Sequence, residues 1–140
     1  MVKLINKLKN KKGFTLIELI VVLAVLAVIM AIAVPRFIGV QESAKIDADY
    51  STGALIAKSA ELYYAQNPTA SDMSVGDADD KLGKDLSDVK FQSSKIKGQG
   101  LDTVKVDYNS STGAIIVEVK QGTTTTMHVL YPRPATQSLE

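Results

Sequence analysis

The feature that most limits what this chain can fold into is an unbroken apolar run near its N-terminus. Residues 14–34 read FTLIELIVVLAVLAVIMAIAV, 21 residues in which Glu18 is the one ionisable side chain. At about 1.5 Å per residue, a helix of this length extends for about 30 Å, close to the hydrocarbon thickness of a bilayer. The run therefore predicts a single membrane-spanning helix.

Positive charge is concentrated just ahead of this run. Five lysines precede Gly13, whereas the formal net charge of the whole 140-residue chain is only +1, so the part from Gly13 onward carries −4. Lysines that flank a span favour the cytoplasmic side of the membrane. We therefore expect the residues that follow position 34 to lie on the outer side.

Three interpretations of this N-terminal region are open. A cleavable secretory signal would end at a small-residue site such as Ala31-Ile32-Ala33, but the apolar run is long for such a signal. A plain signal-anchor explains the length and the topology, yet it leaves Glu18 unexplained, because a carboxylate is costly inside an apolar span. The third interpretation is a leader that is cut off just before the span. It rests on the residues that connect the lysine-rich segment to the apolar run.

Residues 11–18 read KKGFTLIE. This segment resembles the class III signal of type IV prepilins, and the resemblance extends from Lys11 to about Asn67. It implies that a membrane prepilin peptidase, which is also an N-methyltransferase, cuts between Gly13 and Phe14 and methylates Phe14. Glu18 would then be the fifth residue of the mature chain, and Pro35 would lie where the family places a helix-loosening proline.

Glu18 itself has two interpretations. Residues 15–18 fit the capping-box pattern, in which a Glu at the third helical position bonds back to the residue that caps the helix. The resemblance implies a second role, in which Glu18 neutralises the Phe14 ammonium group of a neighbouring subunit and sets the register of stacked helices. An unpaired carboxylate would then disfavour any other register.

A proline interrupts the helical pattern after the apolar run. Pro35 lacks a backbone donor and clashes with the preceding turn, so we expect a kink or a melted stretch there. Residues 35–66 continue the helix in amphipathic form and stop before Asn67-Pro68. One apolar face should pack on a globular head, and the residues with this spacing are Val40, Ala44, Ala48, Leu55 and Leu62. Three tyrosines of this stretch are also expected to pack: Tyr50, Tyr63 and Tyr64.

The C-terminal part predicts an antiparallel sheet. Residues 103–108, 114–120 and 124–131 are rich in β-branched and apolar residues, and turn residues separate them. The predicted fold is therefore α+β and type IV pilin-like, a long helix on a three- or four-stranded antiparallel sheet. The chain has no cysteine, so it resembles the cysteine-free pilins of Gram-positive bacteria, and sheet packing alone is expected to hold its C-terminal end.

Composition gives little support to catalysis or to nucleic-acid binding. Beyond Gly13 the basic residues alternate with Asp and Glu, so no specific nucleic-acid partner is predicted. His128 is the single histidine and lies in a predicted strand, and we find no phosphate-binding glycine loop, zinc spacing or nucleophile motif. We therefore predict a protein that is not an enzyme and that uses no cofactor and no metal.

The predicted organisation is a cleaved leader (1–13), a transmembrane and assembly helix (14–34), its amphipathic continuation (35–66) and a globular head (67–140). The resemblance implies a structural subunit that is anchored in the membrane and then polymerises with its own copies into a surface pilus for adhesion, motility or aggregation. Its other partners would be the prepilin peptidase and the pilus assembly machinery. The alternative is a pseudopilin of a type II secretion or DNA-uptake system.

Overall fold

The structure is a computed structural model that describes residues 13–83, 86 and 88–135. Except for Gly13, the predicted leader and its five lysines lie outside the described residues. The described elements, in chain order, are helix α1 (Leu16–Gln66), helix α2 (Asp77–Leu82), a short 3-10 helix (Leu101–Thr103), and strands β1 (Val104–Asn109), β2 (Ala114–Lys120) and β3 (Met127–Tyr131).

The chain divides into two compact units, with the boundary between Gly39 and Val40. The described part of the first unit is almost entirely the first part of α1. The second unit contains the rest of α1, both short helices and the sheet. The predicted boundaries at residues 34 and 66 remain predictions, although the division in the structure falls a few residues after Pro35.

The sheet is antiparallel with strand order β1-β2-β3. Side chains alternate between buried and partly exposed along β3, so one face of the sheet forms the core. All three predicted strands are present, although β3 is shorter than its predicted range. A fourth segment adds only a bridge: Met73 and Val106 exchange two backbone hydrogen bonds of 2.9 Å.

The second part of α1 packs on this sheet through a face that we did not predict. Its buried residues are Ile46, Asp49, Tyr50, Gly53, Ile56, Ala57, Ala60 and Tyr64. At 100° per residue these lie on the opposite side of the helix from the predicted set, Val40, Ala44, Ala48, Leu55 and Leu62, all of which are exposed. The prediction of an amphipathic, packed helix is confirmed, but the choice of face was wrong.

Gly53 is one reason why this face of α1 packs on the sheet. A Cβ atom placed on Gly53 would lie 2.5 Å from the Cβ of Leu130, a core residue of β3. The absence of a side chain at this position therefore lets the helix backbone approach the strand closely. Two of the predicted tyrosines are buried against this core, and the ring of Tyr64 stacks on that of Tyr108 with 4.1 Å between centroids.

Asp49 is a second reason why this face of α1 is buried. Its side chain is buried, and its two carboxylate oxygens accept hydrogen bonds from the backbone N–H groups of Gln92 (2.8 Å) and Ser93 (2.7 Å). Two turns earlier on the same face of α1, the Glu42 carboxylate accepts the backbone N–H of Ser94. Two helix carboxylates thus bind the loop that precedes the sheet, and Asp49, the buried one, needs such donors.

The C-terminal end is held by more than sheet packing, contrary to our expectation. Arg133, two residues past β3, donates to Asp47 on α1 at 2.7 Å, and its guanidinium group lies 4.7 Å from the ring centroid of Tyr50. A cation over an aromatic ring is attracted by the ring quadrupole. This ion pair and cation–π contact connect the end of the chain to the helix without a disulfide.

Candidate processing and assembly site

The predicted cleavage point lies immediately before α1. Gly13, Phe14 and Thr15 precede the helix and have no regular secondary structure, and the helix begins at Leu16. The Phe14 side chain is 93% exposed. The bond between Gly13 and Phe14 therefore lies in exposed, non-helical backbone, where a protease could bind it without unwinding a helix.

A capping box defines this start of the helix. The Thr15 N–H donates to Glu18 Oε2 at 2.7 Å, and the Glu18 N–H donates to Thr15 Oγ1 at 3.3 Å. The Thr15 hydroxyl also donates to Glu18 Oε2 at 2.8 Å. The local interpretation of Glu18 is confirmed, because these bonds satisfy backbone donors that would otherwise have no partner at a helix N-terminus.

Gly13 is not required by the conformation of this chain. A Cβ atom at position 13 would meet no atom within 4 Å, and the backbone there does not adopt the left-handed region that favours glycine. A larger side chain would therefore fit in the described structure. If a glycine is needed at this position, the need arises from something that binds the chain and not from its fold.

The apolar run presents its side chains outward. From Phe14 to Val40 every described residue is exposed, among them Leu23, Ile29 and Val34. Helix α1 is long and apolar enough to cross a membrane, judged by length and composition. Pro35 lies inside α1, which continues through it as helix. A kink at Pro35 remains a prediction.

His128, the single histidine of the chain, is part of the sheet. It lies in β3 with its ring largely buried, and its Nε2 is 3.1 Å from Oε1 of Gln121. The prediction of a strand residue at this position is confirmed.

Comparison with known proteins places this N-terminal site in a family. Residues 8–34 match the family described as "Prokaryotic N-terminal methylation motif". The chain is also similar to "Prepilin peptidase-dependent protein A" of Clostridium perfringens, with 45% identity over 64 residues, which are 45% of this chain and 46% of the relative. The chain thus spans a little under half the length of this curated relative. No solved structure matches this chain.

These matches and the fold together define a class of protein. The residues that match the methylation motif include the exposed apolar part of α1, and the second part of this helix packs on a three-stranded antiparallel sheet. The matches and the fold together support a type IV pilin-like precursor, of the pilin or pseudopilin type.

Proposed function

We propose that this protein is the structural subunit of a type IV pilus, held in the membrane by residues 14–34 and later polymerised through the same helix into a surface filament. The observation that carries this proposal is the exposed apolar helix that begins three residues after Gly13, within the residues that match the methylation motif. Lipid tails and the helices of other copies are the two environments that can cover such a surface. No enzymatic activity is part of the proposal.

Processing changes the charge at the membrane edge. A cut between Gly13 and Phe14 by a prepilin peptidase, the enzyme on which the relative depends by its name, removes five lysines and leaves an α-amino group on Phe14. That amino group is largely cationic at neutral pH and remains basic after one methylation. The same enzyme would methylate it, and the cytoplasmic lysines that oppose withdrawal of the helix would be gone.

Glu18 supplies the complementary charge. In one copy its carboxylate caps the helix through Thr15. In the filament, the Phe14 ammonium group of a neighbouring copy replaces water near this carboxylate and fixes the register between helices. Packing in apolar surroundings strengthens such a pair and penalises registers in which Glu18 is unpaired.

The outward face of the second part of α1 supports contact between copies as well. Val40, Leu55 and Leu62 are 67%, 62% and 58% exposed, although they follow helical spacing on one side of the helix. These side chains face away from the sheet, so the core of the same chain does not cover them. A neighbouring copy in the filament would.

Electron microscopy of sheared cell-surface material tests the filament directly. We expect long filaments in which antibodies against the sheet domain label this chain along the whole length. A pseudopilin would share the processing motif and the helix, but it would form only short structures within the envelope. Absence of the chain from sheared filaments, together with its retention in the membrane fraction, would contradict the pilus assignment.

Replacement of Gly13 tests the processing step. Gly13→Leu should fold and insert normally, because a side chain at this position has open space around it, but it should remain an uncut precursor in the membrane. Gly39→Leu, which places the same larger side chain in open space on α1, is the matched control and should still be cut. Filaments of mature-length subunits from the Gly13 variant would defeat the processing assignment.

Two variants of Glu18 separate capping from the charge. Glu18→Gln keeps an oxygen that can cap the helix, since Gln also serves in capping boxes, whereas Glu18→Ala removes both cap and charge. We expect both variants to be cut and inserted, and both to assemble poorly beside wild type. Normal filament yield from Glu18→Gln, measured by sedimentation of sheared material, would show that capping suffices and that the register role is wrong.

A further inference from the structure

The hairpin between β1 and β2 carries a modification motif. Asn109, Ser110 and Ser111 form the sequence Asn-x-Ser, in which x is not proline, the acceptor pattern for N-linked glycosylation. The chain offers its own comparison at Asn67, where Pro68 occupies the middle position of Asn-Pro-Thr and blocks the pattern. Neither Asn6 nor Asn10 is followed by Ser or Thr two residues later.

The side chain of Asn109 is arranged as an acceptor would need to be. It is exposed, and its Oδ1 accepts the N–H groups of Ser111 (3.0 Å) and Thr112 (3.2 Å). Hydrogen bonds to the amide oxygen draw electron density toward it and make the Nδ2 protons easier to remove. Nδ2 itself donates to no other described residue, whereas Nδ2 of Asn67 donates to the Tyr63 carbonyl at 2.9 Å.

The surroundings of Asn109 leave room for a sugar. A shallow cleft of about 440 Å³ adjoins the residue, and its lining is mixed polar and apolar: Asp72, Asp107, Tyr108, Asn109, Ser110 and Ile116. Carboxylate and hydroxyl oxygens in such a cleft can accept hydrogen bonds from sugar hydroxyls. Lys105 donates to Asp107 at 2.7 Å, a bond that raises the pKa of the Lys105 ammonium group and fixes this side of the cleft.

We propose that Asn109 is an N-glycosylation site and that its first sugar residue lies in this cleft. The co-reactant is an oligosaccharide linked to a polyprenyl pyrophosphate. The bond that forms joins Asn109 Nδ2 to C1 of the first sugar, and the bond that breaks joins C1 to the pyrophosphate oxygen. The lipid pyrophosphate leaves with the bonding electron pair, and a base of the transferase takes one Nδ2 proton.

This inference rests on the proposed function, because the hairpin must lie on the outer side of the membrane to meet a lipid-linked donor. The Ser111 hydroxyl, which a transferase reads as part of the motif, is exposed and makes no hydrogen bond to another described residue. A glycan at Asn109 would project from a turn and not from the core, so it would leave the packing of the sheet intact.

Mass spectrometry of the protein from its native host tests the assignment. Trypsin should release Val106–Lys120, a peptide that contains Asn109 and the three hydroxyl residues after it. We expect this peptide to carry added carbohydrate mass that fragmentation places on Asn109 and that alkaline β-elimination leaves in place. Unmodified Asn109, or added mass that β-elimination releases from Ser110, Ser111 or Thr112, would overturn the proposal.

Variants of the hairpin provide the controls. Asn109→Gln and Ser111→Ala should both lose the added mass, and Ser111→Ala keeps the capping oxygen of Asn109, so the turn can still form. Ser110→Ala and Ser111→Thr preserve the motif and should keep the modification. The same spectra report the N-terminus: a chain that begins at Phe14 without added mass refutes only the glycan, whereas a glycosylated chain that begins at Met1 refutes only the processing.

Discussion

Gly53→Ala is the substitution for which the structure and simple helix propensity predict opposite signs. Gly53 lies inside α1, where alanine is normally better than glycine by about 1 kcal/mol. In this fold, however, the added Cβ would lie 2.5 Å from Leu130 Cβ and 3.2 Å from the Leu130 carbonyl carbon and oxygen. Two of these three atoms belong to the backbone of β3, so no rotamer change can relieve the contact.

The magnitude follows from these two opposing effects. Overpacking of a well-packed core costs about 1 to 3 kcal/mol, and the cost lies toward the upper end here because Leu130 is itself buried. Subtracting the helix gain of about 1 kcal/mol leaves a net loss of about 1 to 2 kcal/mol. For a unit of this size, such a loss lowers Tm by several degrees.

Thermal unfolding of the full chain in detergent micelles, followed by near-ultraviolet circular dichroism, measures this loss. The signal reports tyrosine packing, including the stacked Tyr64 and Tyr108 rings. Gly39→Ala is the matched control, since a Cβ on Gly39 meets no atom within 4 Å and should not lower Tm. A Gly53→Ala protein that is as stable as wild type, or more stable, would refute the close approach of α1 and β3.

Two further substitutions test the contacts that hold the loop and the C-terminal end. Asp49→Ala leaves the Gln92 and Ser93 N–H groups without their acceptor and should cost about 2 to 5 kcal/mol, with faster amide exchange at Ser93. Glu42→Ala, which removes a half-exposed carboxylate from the same face of α1, should lose far less stability, and equal losses would contradict the role of burial. Arg133→Ala should cost about 1 kcal/mol in urea unfolding, because its ion pair is exposed and its cation–π contact is modest. Arg133→Lys should recover only part of this, whereas full recovery would mean that charge alone matters.

Local patterns predicted the parts of this molecule that depend on neighbours in sequence. The apolar run predicts an exposed helix, alternation predicts the strands, and Thr15 with Glu18 predicts the capping box, because each signal is contained within a few residues. Strand β2 has the bounds that its β-branched run predicts.

Contacts between residues that are distant in the chain could not be predicted from local sequence patterns. Both sides of the second part of α1 carry apolar residues at helical spacing, so spacing alone did not separate the side with Leu55 and Leu62 from the side that packs on the sheet. The structure uses the latter side because Gly53 admits β3 and because Asp49 finds its donors 43 and 44 residues away in the chain. A polar residue in a core face has no signal in periodicity alone, and neither does the contact of Arg133 with α1.

The N-terminus of the mature protein tests the central claim most directly. Intact-mass measurement and N-terminal sequencing of the chain from its native host should find N-methylated phenylalanine at position 14 as the first residue. A first residue at Met1, which would mean an uncut anchor, or at Val34, which would mean cleavage as a secretory signal, would contradict the account.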